Sequence, residues 1–229
     1  MLALALLLAA QAELPSDDRV LGHLPYAEAY ADELVAAPPG FAVGQPCRVH
    51  AAMLPDLTAL VDAARVSGLA LRGVSCFRSV ARQRVVFCRT RRACRATAER
   101  ATSVGPPGHS EHATGYAVDF TTRPMAGCGD VSGCFADTAT GGWLLTNAPR
   151  FGFELSFPLA NAQAVAWEPW HWRWVGRAWD APGAAVARAA FARARVSYPA
   201  RPAAAEVPAR PVPDQAASLP AVTATLRPR

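Results

Sequence analysis

The sequence predicts a mixed fold of the α+β class, and three observations carry that prediction. A helical pattern of apolar residues begins at Pro55, and period-two alternation marks strands at 116–120 and 170–175. These segments do not alternate regularly along the chain, as they would in a parallel α/β protein. Of the 229 residues, 52% are hydrophobic and 18% are charged, which provides a packed core and argues against global disorder.

Residues 1–12 form an apolar run that ends in Ala10-Gln11-Ala12, a small-x-small pattern at which signal peptides are cleaved. The run is shorter than the roughly 20 residues that a transmembrane helix needs, although the positively charged start of a signal peptide is missing. We expect a signal peptide over residues 1–12, a secreted or periplasmic protein and no stable membrane insertion. The alternatives are a mis-set start and a buried N-terminal helix.

Six cysteines agree with an oxidising compartment. Two pairs are separated by only six positions, and such short loops close readily, which leaves two cysteines for a third pair. The predicted disulfides are Cys88–Cys94, Cys128–Cys134 and Cys47–Cys76. Six cysteines permit about 15 connectivities, so this pairing is a hypothesis. A thiolate zinc site is disfavoured because the chain has no Cys-x-x-Cys spacing.

Residues 13–49 indicate an irregular lead-in with short helical pieces and a turn at residues 38–40. The helix that begins at Pro55 carries apolar residues at helical spacing, and Gly68 suits its C-terminal end. A strand is expected from Leu69 to Val74.

Ser79 is a suitable N-cap for the next helix, which carries Gln83 and continues towards Arg100, with Pro106-Pro107 stopping it at the latest. Four arginines, Arg89, Arg91, Arg92 and Arg95, make a basic cluster there. A solvated helix face explains this cluster better than contact with an anionic polymer. The formal charge of +5 is too small and too scattered to indicate nucleic-acid binding.

The first chemical motif surrounds a strand that begins at Tyr116. Asp119 points to one face of this strand, and the aromatic residues Tyr116 and Phe120 point to the other. His112 precedes the strand across Gly115, where the missing side chain lets the backbone bend. The motif therefore offers an imidazole and a carboxylate beside a face that can be buried.

The second motif repeats this arrangement between Trp170 and Val175. His171 and Arg173 share one face of the expected strand, and three tryptophans share the other. Glu168 stands three residues before His171.

Together the two motifs predict a zinc peptidase. Catalytic zinc takes three protein ligands and keeps one position open, and His112, Asp119 and His171 supply two imidazoles and a carboxylate. Glu168 is the natural base that takes a proton from water and returns it to the leaving amine. Arg78 is the candidate for binding a carboxylate or stabilising an oxyanion.

The remaining chain predicts a helix around 142–148, a strand over 153–157 and a short Ala-rich helix over 183–195. Residues 199–229 are rich in Pro, Ala and Arg, which predicts a disordered or extended tail. His23 and His50 have no partner pattern, and His109 neighbours the first motif without an assigned role.

At these motifs the sequence resembles the VanY-type D-alanyl-D-alanine carboxypeptidases, which belong to a group of zinc peptidases with a hedgehog-like domain. The family pattern Ser-x-His-x-x-Gly-x-Ala-x-Asp is met over 110–119, and Glu-Pro-Trp-His-Trp-Arg is met over 168–173. The segment from Ser75 to Ser79, followed by Gln83, resembles a third family motif. The resemblance covers about residues 55 to 176.

The resemblance implies a small antiparallel sheet with flanking helices, in a peptidase domain over residues 50–198. It implies that zinc is bound by His112, Asp119 and His171, that Glu168 is the base, and that Arg78, Gln83 and Ser110 hold the peptide. The implied partner is the peptidoglycan stem peptide, which would be cut to release a terminal D-alanine. We expect a monomer.

Two residues depart from the family pattern, since Cys76 replaces a glycine and Phe77 replaces a tyrosine. A Cys47–Cys76 disulfide would pin the loop that carries Arg78. The loop closed by Cys128 and Cys134 and the tail look like additions. These departures leave the exact substrate open.

Several alternatives share the same scaffold: an L,D-carboxypeptidase, a D-Ala-D-Ala dipeptidase and a peptidoglycan endopeptidase. A non-catalytic, zinc-stabilised cell-wall-binding module is a different class, and the retained Glu168 argues against it. A binder of anionic polymers through Arg89–Arg95 is the third class.

Overall fold

The computed structural model describes residues 18–88, 98–125 and 127–205. The predicted signal peptide, the basic cluster Arg89–Arg95, Cys94 and most of the predicted tail lie outside these ranges. Among the described residues, no helix has the length and apolar character needed to cross a membrane.

The described chain forms six α-helices and six β-strands. The helices are α1 (Leu54–Val66), α2 (Val80–Cys88), α3 (Ala98–Ala101), α4 (Ala139–Asn147), α5 (Ala184–Ala190) and α6 (Ala192–Ser197). The strands are β1 (Leu34–Ala36), β2 (Arg48–His50), β3 (Leu71–Ser75), β4 (Ala117–Thr122), β5 (Phe153–Leu155) and β6 (His171–Trp174). A two-stranded sheet pairs β1 with β2, and a four-stranded antiparallel sheet has the order β3-β4-β6-β5. This arrangement confirms the predicted α+β class with a small antiparallel sheet.

The helix boundaries follow the residues that predicted them. Pro55 lies in the first turn of α1, and Gly68 follows its end with a φ of +74°. The hydroxyl of Ser79 accepts a hydrogen bond from the Arg82 N–H at 3.1 Å and so caps α2. Leu57 and Leu60 of α1 are fully buried and belong to the same core cluster as side chains of the four-stranded sheet.

The main core lies on one face of the four-stranded sheet. Val118 and Phe120 of β4 and Trp172 and Trp174 of β6 contribute to it, and each is at most 1% exposed. The predicted alternation therefore holds in both strands, and the polar residues between these side chains are directed to the opposite face.

The lead-in is more regular than its sequence predicts. β1 pairs with β2 in the register Leu34↔His50, and Phe41 packs so closely over Gly73 that a Cβ there would lie 2.4 Å from the Phe41 ring. Strands of three residues are too short for a period of two to be visible in the sequence. Residues 34–50 therefore belong to the folded domain.

The C-terminal part also differs from the prediction. The Ala-rich segment forms two helices, α5 and α6, which meet at Phe191. Beyond residue 198, the Pro202 carbonyl accepts from the Leu155 N–H at 3.0 Å, and the Ala205 N–H donates to Pro149 at 2.9 Å. Hydrogen bonds to the rest of the described chain thus continue to Ala205, past the predicted boundary at residue 198.

Two of the predicted disulfides are confirmed, Cys47–Cys76 and Cys128–Cys134. Cys88 is also disulfide-bonded, and its predicted partner Cys94 lies outside the described residues.

Candidate metal centre

Two adjacent strands and one turn position the candidate metal ligands. Asp119 of β4 lies directly opposite His171 of β6 in the antiparallel register. His112 lies on a 3₁₀ turn, Glu111–Thr114, immediately before β4. Gly115 ends that turn with a φ of +72°, and a Cβ at this position would lie 2.8 Å from the Leu34 side chain. A glycine is therefore required for the chain to bring His112 over the sheet.

These three side chains converge at one buried point. Their ligand atoms lie within 4.8 Å of one another, and each side chain is at most 7% exposed. His112 Nε2 is 3.1 Å from Asp119 Oδ2, and His171 Nδ1 is 2.8 Å from Asp119 Oδ1. The structure thus brings together the three predicted ligands from two separated motifs.

The outer nitrogens of both imidazoles are bonded to acceptors. His112 Nδ1 lies 2.8 Å from the Cys76 carbonyl, and His171 Nε2 lies 3.0 Å from Glu111 Oε2. A carbonyl and a carboxylate can only accept, so these nitrogens carry the protons. A metal ion bound beside Asp119 would take the lone pairs of His112 Nε2 and His171 Nδ1, and it would displace the proton through which His171 Nδ1 bonds to Asp119. This donor set of two imidazoles and one carboxylate fits Zn²⁺ and leaves room for a fourth ligand.

The electrostatics of the cluster favour a cation. Burial would raise the pKa of Asp119, but the neighbouring His112 and His171 hold it well below its usual range. Burial would lower the pKa of His171, but hydrogen bonds to Asp119 and Glu111 raise it to about 10. The centre therefore holds ionised carboxylates in a buried position, where a divalent ion would neutralise them.

Glu168 lies in the turn before β6 and lines the same cleft as the three candidate ligands. The side chain is buried, and this burial raises its pKa to about 8, with the nearby His171 opposing the shift. A carboxyl group with a pKa near neutral pH is suited to accept and return a proton. Glu168 is not among the three converging residues, and its role as a base stays a prediction.

Arg78 lines the cleft beside Asp119, with Nη2 at 3.7 Å from Asp119 Oδ2. Its guanidinium donates to Gln83 Oε1 at 2.8 Å and to Ser75 Oγ at 2.6 Å. Gln83 is 1% exposed, donates to the Gly105 carbonyl and does not line the cleft. The structure therefore puts Gln83 behind Arg78, where it orients the guanidinium, whereas Ser110 lines the cleft. The substrate-binding roles of both residues stay predictions.

Sequence reasoning missed Glu111, which is the most highly connected carboxylate of the centre. It is 3% exposed and accepts hydrogen bonds from His171 at 3.0 Å, Ser156 at 2.5 Å and Arg173 at 2.8 Å. In the sequence, only the position of Glu111 between two motif residues indicates a role in the site. The residues that bond to its carboxylate are all distant in the chain. Arg173 in turn donates to Glu154 at 2.7 Å, so a buried ionic network lies behind the candidate ligand His171.

The metal centre lies on the floor of a cleft of about 630 Å³. α2, residues 103–105 and residues 163–166 form walls of this cleft, and Val131 from the Cys128–Cys134 loop also lines it. His23 and His109 line it too, but each ring bonds to backbone carbonyls: His23 to Ala101 and His109 to Pro107. Neither histidine joins the ligand set.

Comparison with known proteins shows the family of the chain. A family model described as D-alanyl-D-alanine carboxypeptidase (VanY) matches residues 46–177, more than half of the chain. The putative carboxypeptidase YodJ of Bacillus subtilis (strain 168) is 35% identical over 124 residues, which cover 53% of this chain and 44% of the relative. The chain spans about half the length of the curated relatives that it matches.

Two solved structures resemble the fold. The structure of the LdcB LD-carboxypeptidase is 27% identical with a TM-score of 0.58, covering 73% of this chain and 75% of that one. The structure of VanYB in complex with D-alanine-D-alanine is also 27% identical, with a TM-score of 0.52, covering 74% of this chain and 87% of the other. One relative is thus described as an L,D-enzyme, and the other binds a D,D-dipeptide.

Proposed function

Because the chain belongs to the VanY family of D-alanyl-D-alanine carboxypeptidases, we propose that it is a zinc-dependent D,D-carboxypeptidase that removes the terminal D-alanine from peptidoglycan stem peptides. The observation that carries this proposal is the convergence of His112, Asp119 and His171 beside the buried carboxyl of Glu168 in one cleft. We propose that it acts in the cell envelope after export.

The residues of the cleft divide the chemistry between them. His112, Asp119 and His171 would hold the zinc ion, which supplies Lewis-acid chemistry and makes hydroxide available near neutral pH. Glu168 takes a proton from the attacking water and delivers it to the leaving amino group of D-alanine. Burial raises the pKa of Glu168 to about 8 and the nearby His171 opposes this shift, so a fraction of the group is ionised near neutral pH.

Arg78 and Ser110 orient the peptide. The Arg78 guanidinium is held by Ser75 and Gln83, so its direction is set before a substrate arrives. A fixed guanidinium matches the geometry of a carboxylate and would bind the free terminus of the stem peptide. Recognition of that terminus explains why a carboxypeptidase would cut only the last peptide bond.

A second candidate is an L,D-carboxypeptidase, because the LdcB structure resembles this fold at least as well as VanYB does. Product analysis separates the candidates. The zinc-loaded protein should release free D-alanine from a pentapeptide stem and leave a tetrapeptide, as measured by mass spectrometry. Cleavage of the tetrapeptide alone would identify the L,D-enzyme, and hydrolysis of the free dipeptide D-Ala-D-Ala, with the pentapeptide left intact, would identify a dipeptidase. An internal cut in cross-linked peptides would identify an endopeptidase, and no turnover at all would favour a binding module.

The role of Glu168 is tested by Glu168→Gln. Loss of the base should lower kcat by about 100-fold or more, whereas zinc content measured by elemental analysis should stay the same. Glu99→Gln is the matched control, since Glu99 is exposed on α3 and does not line the cleft. Full activity in the Glu168→Gln protein would show that another group is the base.

A further inference from the structure

Arg82 lies on the rim of the cleft, in the first turn of α2. Its side chain is exposed and lines the cleft. The Arg82 backbone N–H bonds to Ser79, but among the described residues the guanidinium forms neither a salt bridge nor a hydrogen bond. Its charge is therefore available to a ligand in the cleft.

Arg82 is a close neighbour of Arg78. The two residues stand four positions apart in the sequence, and both side chains line the cleft. Arg78 is held by Ser75 and Gln83 and has Asp119 close by, whereas Arg82 has no such partners. Two neighbouring like charges repel each other, and a bound anion relieves that repulsion.

The charges of the cleft are separated in space. The acidic residues that line it are Glu111, Asp119 and Glu168, which all belong to the metal centre. Away from that centre, the charged lining residues are Arg82 and Arg100.

Arg100 donates to the carbonyls of residues 86 and 87, which ties it to the end of α2. Glu28 also lies near α2, but its carboxylate accepts from the Val80 N–H and does not line the cleft. The rim beside Arg78 is thus cationic.

We propose that Arg82 forms a second carboxylate subsite beside Arg78, and that it selects stem peptides with an additional free carboxylate close to the terminal D-alanines. This inference rests on the proposed function. The substrate class is a pentapeptide whose third residue is a diamino dicarboxylic acid with its side-chain carboxylate free. Arginine suits this task because its planar guanidinium binds a carboxylate through two parallel hydrogen bonds. A third residue that is a simple diamino acid, or one with an amidated carboxylate, offers no group to Arg82.

The experiment compares two pentapeptides that differ only in whether this carboxylate is free or amidated. The zinc-loaded wild-type protein should show a kcat/KM roughly two- to fivefold higher for the free acid, the size expected for one partly exposed ionic contact. Arg82→Gln should bring the ratio of the two kcat/KM values close to one, and Arg82→Lys should retain part of it. Arg84→Gln is the matched control, because Arg84 is exposed on the same helix and does not line the cleft. This control should keep the wild-type ratio.

Two results would overturn the subsite. The first is an equal kcat/KM for the two peptides in the wild-type protein. The second is an Arg82→Gln protein in which the ratio of the two kcat/KM values stays at the wild-type level, even if both values fall. In either case, cleavage of both peptides would leave the proposed function intact. If neither peptide is cleaved, the proposed function fails. In that case, calorimetry measures the affinity of the wild-type and Arg82→Gln proteins for the same two peptides. The subsite requires that the wild-type protein prefers the free acid and that Arg82→Gln loses this preference.

Discussion

Glu111 illustrates how a single residue can serve the candidate site without touching a substrate. Its carboxylate bonds to the outer nitrogen of His171 and neutralises the buried Arg173. Burial would raise the pKa of Glu111, but Arg173 and His171 hold it well below its usual range. An ionised carboxylate behind a histidine ligand sets the orientation of the ring and raises its basicity.

Glu111→Gln should therefore weaken zinc binding by about 10- to 100-fold, because a neutral amide is a poorer acceptor for the His171 N–H. The measurement is competition with a chelator of known affinity. Ser156→Ala is the control, since it removes one hydrogen bond to the same carboxylate but leaves its charge beside His171. Equal zinc affinity in Glu111→Gln and wild-type protein would contradict the positioning role.

At the scale of elements, the Cys47–Cys76 disulfide links the approach to β2 with the end of β3. Cys76 provides the carbonyl that accepts from His112, and the Arg78 N–H donates to the His112 carbonyl at 3.0 Å. The disulfide, the Arg78 loop and the ligand turn are therefore connected. This connection gives Cys76, which departs from the family pattern, a structural reason.

Replacing both Cys47 and Cys76 by alanine should lower the free energy of unfolding by about 2–4 kcal/mol, because the cross-link closes a long loop. Zinc affinity should fall as well, since the Cys76 carbonyl would be held less firmly. Chemical denaturation and chelator competition measure the two effects.

The Cys128→Ala/Cys134→Ala protein is the comparison for this element. Its disulfide spans six positions rather than 29, and the loop that it closes lies at the rim of the cleft. The smaller loop should cost less stability and leave zinc affinity unchanged. Weaker zinc binding in this protein and not in the Cys47/Cys76 variant would contradict the proposed connection.

At the scale of the whole molecule, the segment after α6 completes the domain. Ala204 is buried, and its N–H lies 3.4 Å from Glu154, which also contacts Arg173 and Arg195. A row of contacts therefore runs from the C-terminal segment through Glu154, Arg173 and Glu111 to His171. The C-terminal segment therefore contacts the same ionic network that surrounds the candidate metal centre.

A chain that ends after Tyr198 should be less stable than one that ends after Ala205, by about 1–3 kcal/mol. The shorter chain loses two backbone hydrogen bonds, from Leu155 to Pro202 and from Ala205 to Pro149, and leaves buried groups unpaired. Urea unfolding of the two proteins measures this difference. Equal unfolding midpoints would show that residues 199–205 contribute nothing to the domain.

The sequence by itself determined the local features of this protein. The alternation in β4 and β6 separates ligand residues from core residues within a few positions, and Pro55, Gly68 and Ser79 mark helix ends through their own backbone chemistry. These features depend on neighbours in the chain, so a sequence pattern and a family resemblance were sufficient to propose His112, Asp119, His171 and Glu168, which the structure places in one cleft.

Only the tertiary structure decided which distant residues meet. The strand order β3-β4-β6-β5 brings Glu111 to His171 and Arg173, and the packing of α2 puts Gln83 behind Arg78 instead of in the cleft. The pairing of β1 with β2 and the docking of residues 199–205 likewise depend on partners far away in the chain. No local hydrophobic periodicity or secondary-structure propensity predicts such contacts, because they form and contribute to stability only once the surrounding elements have packed.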